Sequence, residues 1–98
     1  MATLYRYTDP DNAFAICEEE TVEPKNGIDF TLKELQGYVG GYIEIIHLND
    51  GRIMVINEEG KLLGLPLNML ATIQYQLSYG PLDQIVGNAL VCKNTEVL

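Results

Sequence analysis

Few side chains in this chain could do covalent or acid–base chemistry: one histidine, His47, one serine, Ser78, two cysteines, Cys17 and Cys92, and fourteen carboxylates. A serine nucleophile needs a strained elbow and an imidazole partner. Ser78 sits in "LSYG", which lacks the G-x-S-x-G pattern. Cys17 and Cys92 end the apolar runs "AFAIC" and "ALVC" and form no C-x-x-C pair. They read as reduced core residues, not as a disulfide, a nucleophile or zinc ligands. In "DPDNAFAICEEE", Asp9, Asp11 and Glu20 fall at the first, third and twelfth places of a calcium loop. Ala13 and Phe14 occupy the places that need a ligand and a glycine, so the match fails. "GYVGGY" follows a helix instead of opening one, which suits helix termination better than a phosphate cradle. Glu58 and Glu59 are the clearest acid–base candidates, and adjacent glutamates in a turn are usually solvated. The expectation is a non-enzyme with no cofactor and no metal. A small carboxylate-dependent enzyme is the weaker alternative.

The elements that would position these residues follow from periodicity. "TLYRY" alternates as a strand, "DPDN" is a turn, "AFAIC" is a second short strand, and "EEETVEPKNG" reads as exposed connection. Thr31 followed by Glu34 is a capping box that opens a helix, with Leu32, Leu35 and Val39 as its apolar face and Gly40-Gly41 as its stop. "YIEIIHL", "NDG" and "RIMVINE" form a β-hairpin. A three-residue loop pairs Leu48 with Arg52 and puts Ile43, Ile45, His47, Ile53, Val55 and Asn57 on one face. Tyr42, Glu44, Ile46, Met54, Ile56 and Glu58 share the other. "EEGK" is a turn in which Gly60 takes a left-handed conformation, and "LLGLP" is an extended link. Asn68 caps a helix through "MLATIQYQL" with Leu70, Ile73 and Leu77 on one face. "IVGNALVCK" is a last, central strand. The expected architecture is one α+β domain over residues 1–98: a largely antiparallel sheet of four to five strands, a central hairpin and two short helices packed on one face.

The 98 residues suit a single domain, at 47% hydrophobic and 20% charged. A chain this size hides roughly 60–65% of its unfolded surface, so homo-oligomerisation would help it. The net charge of −8, without a Lys/Arg cluster, opposes direct nucleic-acid binding. No run approaches a membrane span, and the N-terminal stretch has no apolar leader, so a cytoplasmic protein is expected. The six tyrosines suit either a contact surface or the margins of a small core.

Leu35-Gln36, Val39 to Glu44, Asn57 to Gly60 and Leu65 to Asn68 form a recurring set of motifs. On these the segment Phe30–Thr72 resembles a family of bacterial, phage and mobile-element proteins, domain of unknown function 3846. The resemblance implies no established activity or catalytic residue. It does draw attention to Tyr42, Glu44, Asn57, Glu58 and Asn68 as a binding site for a protein partner or a small molecule. The competing reading is that Asn57 and Asn68 bond local backbone as turn and cap residues. The favoured function is a small non-catalytic binding protein of phage or mobile-element origin. The alternative is an acidic nucleic-acid mimic using Glu18, Glu19, Glu20 and Glu23.

Overall fold

A computed structural model describes residues 2–7, 17–81 and 83–97. Strands β1 (Ala2–Tyr7), β2 (Cys17–Val22), β3 (Ile43–His47), β4 (Arg52–Asn57) and β5 (Ala89–Lys93) form one sheet in the order β2-β1-β5-β4-β3. Every pairing is antiparallel. Helix α1 (Leu32–Val39) precedes the β3–β4 hairpin and α2 (Met69–Tyr79) follows it. The fold is α+β, as the pattern of elements requires.

The hairpin has the expected register. Leu48 N–H donates to the Arg52 carbonyl at 2.9 Å, and Ile43 lies opposite Asn57. The two faces divide as anticipated: Ile43, Ile53 and Val55 join one core cluster, and Ile46, Leu48, Met54 and Ile56 the other. Helix α1 begins with the capping box, in which Thr31 Oγ1 accepts from Glu34 N–H at 3.2 Å and Glu34 returns to Thr31 N–H. Phe30, just before the cap, packs in the same cluster as Leu35, the arrangement of a hydrophobic staple. Gly40 closes the helix in the left-handed conformation at φ 79°.

Several expectations are corrected. The two helices cover opposite faces of the sheet, not one. Leu35 and Val39 of α1 pack with Leu4, Ile53, Val55 and Leu90. Ala71 of α2 packs with Tyr5, Met54, Ala89 and Val91 on the other side. The cause is in β4 and β5, where Ile53-Met54-Val55 and Ala89 to Cys92 are buried without a break. Strands apolar on both faces need cover on both, and each such side chain contributes about 1.5–3 kcal/mol when removed from water.

Strand β2 covers Cys17–Val22; of the strand expected at 13–17, residues 13–16 lie outside the described residues, as does the turn expected at 9–12. Its glutamates belong to a strand and not to the expected exposed connection, because β2 is an edge and most of its side chains stay in water. Arg6 and Glu20 form an ion pair across β1 and β2 at 3.1 Å. Leu32 is exposed, so the buried face of α1 is narrower than expected.

In α2, Ile73 and Leu77 face solvent while Ala71 and Thr72 are buried. Two polar anchors set the rotation of this helix. Asn68 is buried at its start, and Thr72 Oγ1 accepts from Ile85 N–H at 2.9 Å. The link after β4 is a run of turns through Gly64, tied by Leu63 N–H to the Glu59 carbonyl at 2.9 Å, and is not extended. The last strand is limited to Ala89–Lys93, followed by a short 3-10 turn at Asn94–Glu96.

Candidate functional site

The backbone around the hairpin's open end is held by one side chain. Asn57 is buried, its Nδ2 donates to the Val39 carbonyl at 3.1 Å, and its Oδ1 accepts from Glu59 N–H at 2.8 Å. Asn57 therefore ties the end of α1 to the turn after β4. Gly41 allows this, since a Cβ there would lie 3.0 Å from Asn57 Nδ2. Asn68 is wholly buried. Its Oδ1 caps α2 by accepting from Ala71 N–H at 3.0 Å, and its Nδ2 donates to the Tyr5 and Gly87 carbonyls at 2.9 and 2.8 Å. It joins α2, β1 and the approach to β5. Both asparagines are thus occupied with backbone, the turn-and-cap reading of these residues, and neither offers a free polar atom to a ligand.

Gly60 is not left-handed; Gly64, in the same link, is, at φ 67°. Gly60 is buried because the turn packs on Val86, where a Cβ would meet Val86 Cγ2 at 3.1 Å and the Asn57 carbonyl at 3.4 Å. The glycine is required by close approach and not by backbone handedness.

Glu44 and Glu58 are exposed and line a groove of about 500 Å³ between β3 and α2. The register makes them neighbours on one face: Glu44 lies opposite Ile56, and Glu58 N–H donates to the Tyr42 carbonyl at 2.9 Å. Tyr42 is exposed beside them but is not part of the groove wall. Ile46, Ile56 and Ile85 form an apolar floor. Tyr75 and Tyr79 make one wall, their rings stacked at 5.0 Å and 21°. Lys61 and Asp83, paired with each other, close the far side. That pairing and the Gln84 N–H hold the Asp83 carboxyl below its ordinary range. Glu44 and Glu58 have no ion-pair partner among the described residues. Of the five residues expected to make a site, the structure brings Glu44 and Glu58 together at the groove, which Asn57 also borders while its side chain is bonded to backbone; Asn68 is elsewhere, inside the fold.

The groove residues missed from sequence include Tyr75, Tyr79 and Ile85 on the α2 side. Tyr75 and Tyr79 are four apart on α2, a visible signal, but nothing in the sequence shows that this helix face meets β3. The contact is made at the helix end. Ser78 Oγ accepts from Asn49 N–H at 3.2 Å and donates to Asn49 Oδ1 at 3.1 Å, and the Tyr79 hydroxyl donates to the His47 carbonyl. Ser78 is thereby engaged with the hairpin turn. Cys92 is buried, and burial, followed by the nearby Glu96 charge, pushes its thiol up to about 11, so it stays protonated at neutral pH. Cys17 and Cys92 are both free thiols. Among the described residues no cluster of His, Cys, Asp and Glu could hold a metal ion, and no helix is long and apolar enough to cross a membrane.

No match was found to a curated protein or to a solved structure. A family model does match, over residues 8–97, which extends the likeness from the central motifs to nearly the whole chain. The structure gives those motifs a physical sense, since Val39 to Glu44 and Asn57 to Gly60 meet through the Asn57 side chain. The chain belongs to the family described as Domain of unknown function (DUF3846).

Proposed function

We propose that this is a non-catalytic binding protein of the cytoplasm, of phage or mobile-element origin, whose contact surface is the groove between β3 and α2. Its ligand carries a positive charge beside an apolar body. One observation carries this reading: an isoleucine floor and a tyrosine stack lie next to two carboxylates, Glu44 and Glu58, that no cation of the described residues neutralises. Apolar concavities with a few polar groups at the rim are the usual form of a ligand site, and stacked tyrosines add attraction for a cation. Two free thiols suit a reducing compartment. Bacterial, phage and mobile-element occurrence of the proteins it resembles supports the proposed origin. The acidic-mimic alternative has less support. Glu18 and Glu20 point to one side of β2 and Glu19 to the other, and Arg6 neutralises Glu20, so the run does not make one carboxylate stripe.

The test is an NMR titration of labelled protein with phenethylamine and, separately, with 3-phenylpropionate. The amine should shift the amides of Ile46, Ile56 and Glu58, and the acid should not. The double variant Glu44→Gln, Glu58→Gln should melt like wild type and respond severalfold more weakly. Equal responses to both probes, or shifts confined to the α1 face, would overturn the reading.

A further inference from the structure

We infer that the outer edge of β3 is a docking site for an extended basic segment of a partner protein, which adds to the sheet as a sixth strand. The inference rests on the groove reading and names the ligand class for it. β3 ends the sheet, with β4 as its strand neighbour among the described residues. The bonded pairs Leu48–Arg52 and Tyr42–Glu58 fix which backbone groups point inward. Alternation then leaves the N–H and C=O of Ile43 and Ile45, and the N–H of His47, pointing away from β4. The His47 carbonyl on that edge already accepts the Tyr79 hydroxyl.

Exposed edges are normally blunted by lysines, prolines, bulges or clustered charge. β2, the opposite edge, carries Glu18, Glu19 and Glu20. β3 has a bulge-free register, no lysine or proline, one glutamate, and a 40%-exposed Ile45.

Both sides of this edge are concave. The 500 Å³ groove takes in Glu44 and Ile46 on the α2 face. On the α1 face a pocket of about 270 Å³ is lined by Phe30, Leu32, Leu35, Ile43, Ile45 and Val97. An added strand sends alternate side chains to opposite faces. One set would enter the acidic, tyrosine-walled groove and the other the apolar pocket. Strand addition takes its affinity from main-chain bonds and its specificity from such alternate pockets. Charge selects the occupant. Pairing with a second copy would set a net charge of −8 against another −8, whereas a basic segment complements Glu44 and Glu58.

The probe is an acetylated, amidated octapeptide alternating Lys and Val, added to the full chain and followed by amide hydrogen exchange and NMR. Binding should slow exchange at Ile43, Ile45 and His47 at least tenfold at saturation. The same peptide N-methylated throughout, which cannot form the ladder, should bind at least tenfold more weakly, as should a Glu-Val analogue. Ile45→Pro removes an outward N–H without breaking the β3–β4 ladder, and should weaken binding at least tenfold; the N-methylated peptide gives the same test on wild type if that variant does not fold. Shifts at Ile46, Ile56 and Tyr75 with unchanged exchange at the three edge amides would overturn strand addition and leave the groove reading intact. Protection of those amides that rises with protein concentration in the absence of peptide would show a second copy as the occupant and overturn the basic partner. No response to the peptide would also overturn the inference, while the phenethylamine titration judges the groove separately.

Discussion

Replacing Asn68 separates two roles that a helix cap can have. At an exposed N-cap, Asn and Asp are nearly equivalent and Ala costs about 1 kcal/mol. Asn68 is wholly buried, and its amide nitrogen also bridges the Tyr5 and Gly87 carbonyls. Asn68→Ala should lose the cap, about 1 kcal/mol, and leave two buried carbonyls short of a donor, at least about 1 kcal/mol each. The sum is about 3 kcal/mol, a large share of the roughly 5–15 kcal/mol typical of a domain. Asn68→Asp keeps the cap acceptor but turns a carboxylate oxygen toward both carbonyls, so it should cost more than Ala, about 4 kcal/mol. Urea unfolding followed by circular dichroism measures both. With a slope of about 1.5 kcal/mol per molar, the Ala midpoint should fall by about 2 M. The Asp variant has a further signature. Burial raises its folded-state pKa above the unfolded value, so protonation favours the fold and its deficit relative to wild type should shrink as pH falls. An Asp variant within about 0.5 kcal/mol of wild type, the behaviour of an exposed cap, would refute the bridging role.

Thr31→Ala should cost about 1 kcal/mol in the same urea assay, and an unchanged midpoint would remove the capping box. Glu34 accepts from the Lys25 and Thr31 backbone N–H groups, which hold its carboxyl below its ordinary value of 4.5. A depressed folded pKa contributes stability above the unfolded pKa and loses it as pH falls through the folded value. Wild type should therefore lose more stability on acidification below about pH 4.5 than Glu34→Gln does, as thermal melts across that range would show. Gly60→Ala should cost about 1 kcal/mol and Gly60→Val about 3 kcal/mol through contact with Val86, and Val86→Ala should recover part of the loss in a double-mutant cycle. Cys92 should resist a thiol reagent in the native protein and react after unfolding without reductant, read by mass spectrometry; modification of folded protein at neutral pH would contradict its burial.

Local chemistry was enough to place the hairpin, its turn and register, both helix starts and the stop of α1. Each depends on residues within a few positions: Asn49-Asp50-Gly51 between β-branched runs, Thr31 with Glu34, Asn68 before its helix, and Gly40. The central place of the last strand was also legible, because an unbroken apolar run has to be covered on both sides. The same fact in β4 contradicted the expectation that both helices share one face. Other features depended on partners far along the chain. β2 forms although its sequence is acidic, because β1 supplies the ladder and the edge leaves its glutamates in water. Helix α2 turns Ile73 and Leu77 outward because Asn68 and Thr72 satisfy backbone groups of Tyr5, Ile85 and Gly87, and a hydrophobic period cannot register bonds made 13 to 63 residues away. Gly60 looks like a turn glycine until Val86 is packed on it. The candidate site shows the same division. Glu44 and Glu58 share a face by strand alternation alone, but the groove exists because the end of α2 is pinned to the hairpin turn through Ser78 and Tyr79, and only long-range packing determines that contact.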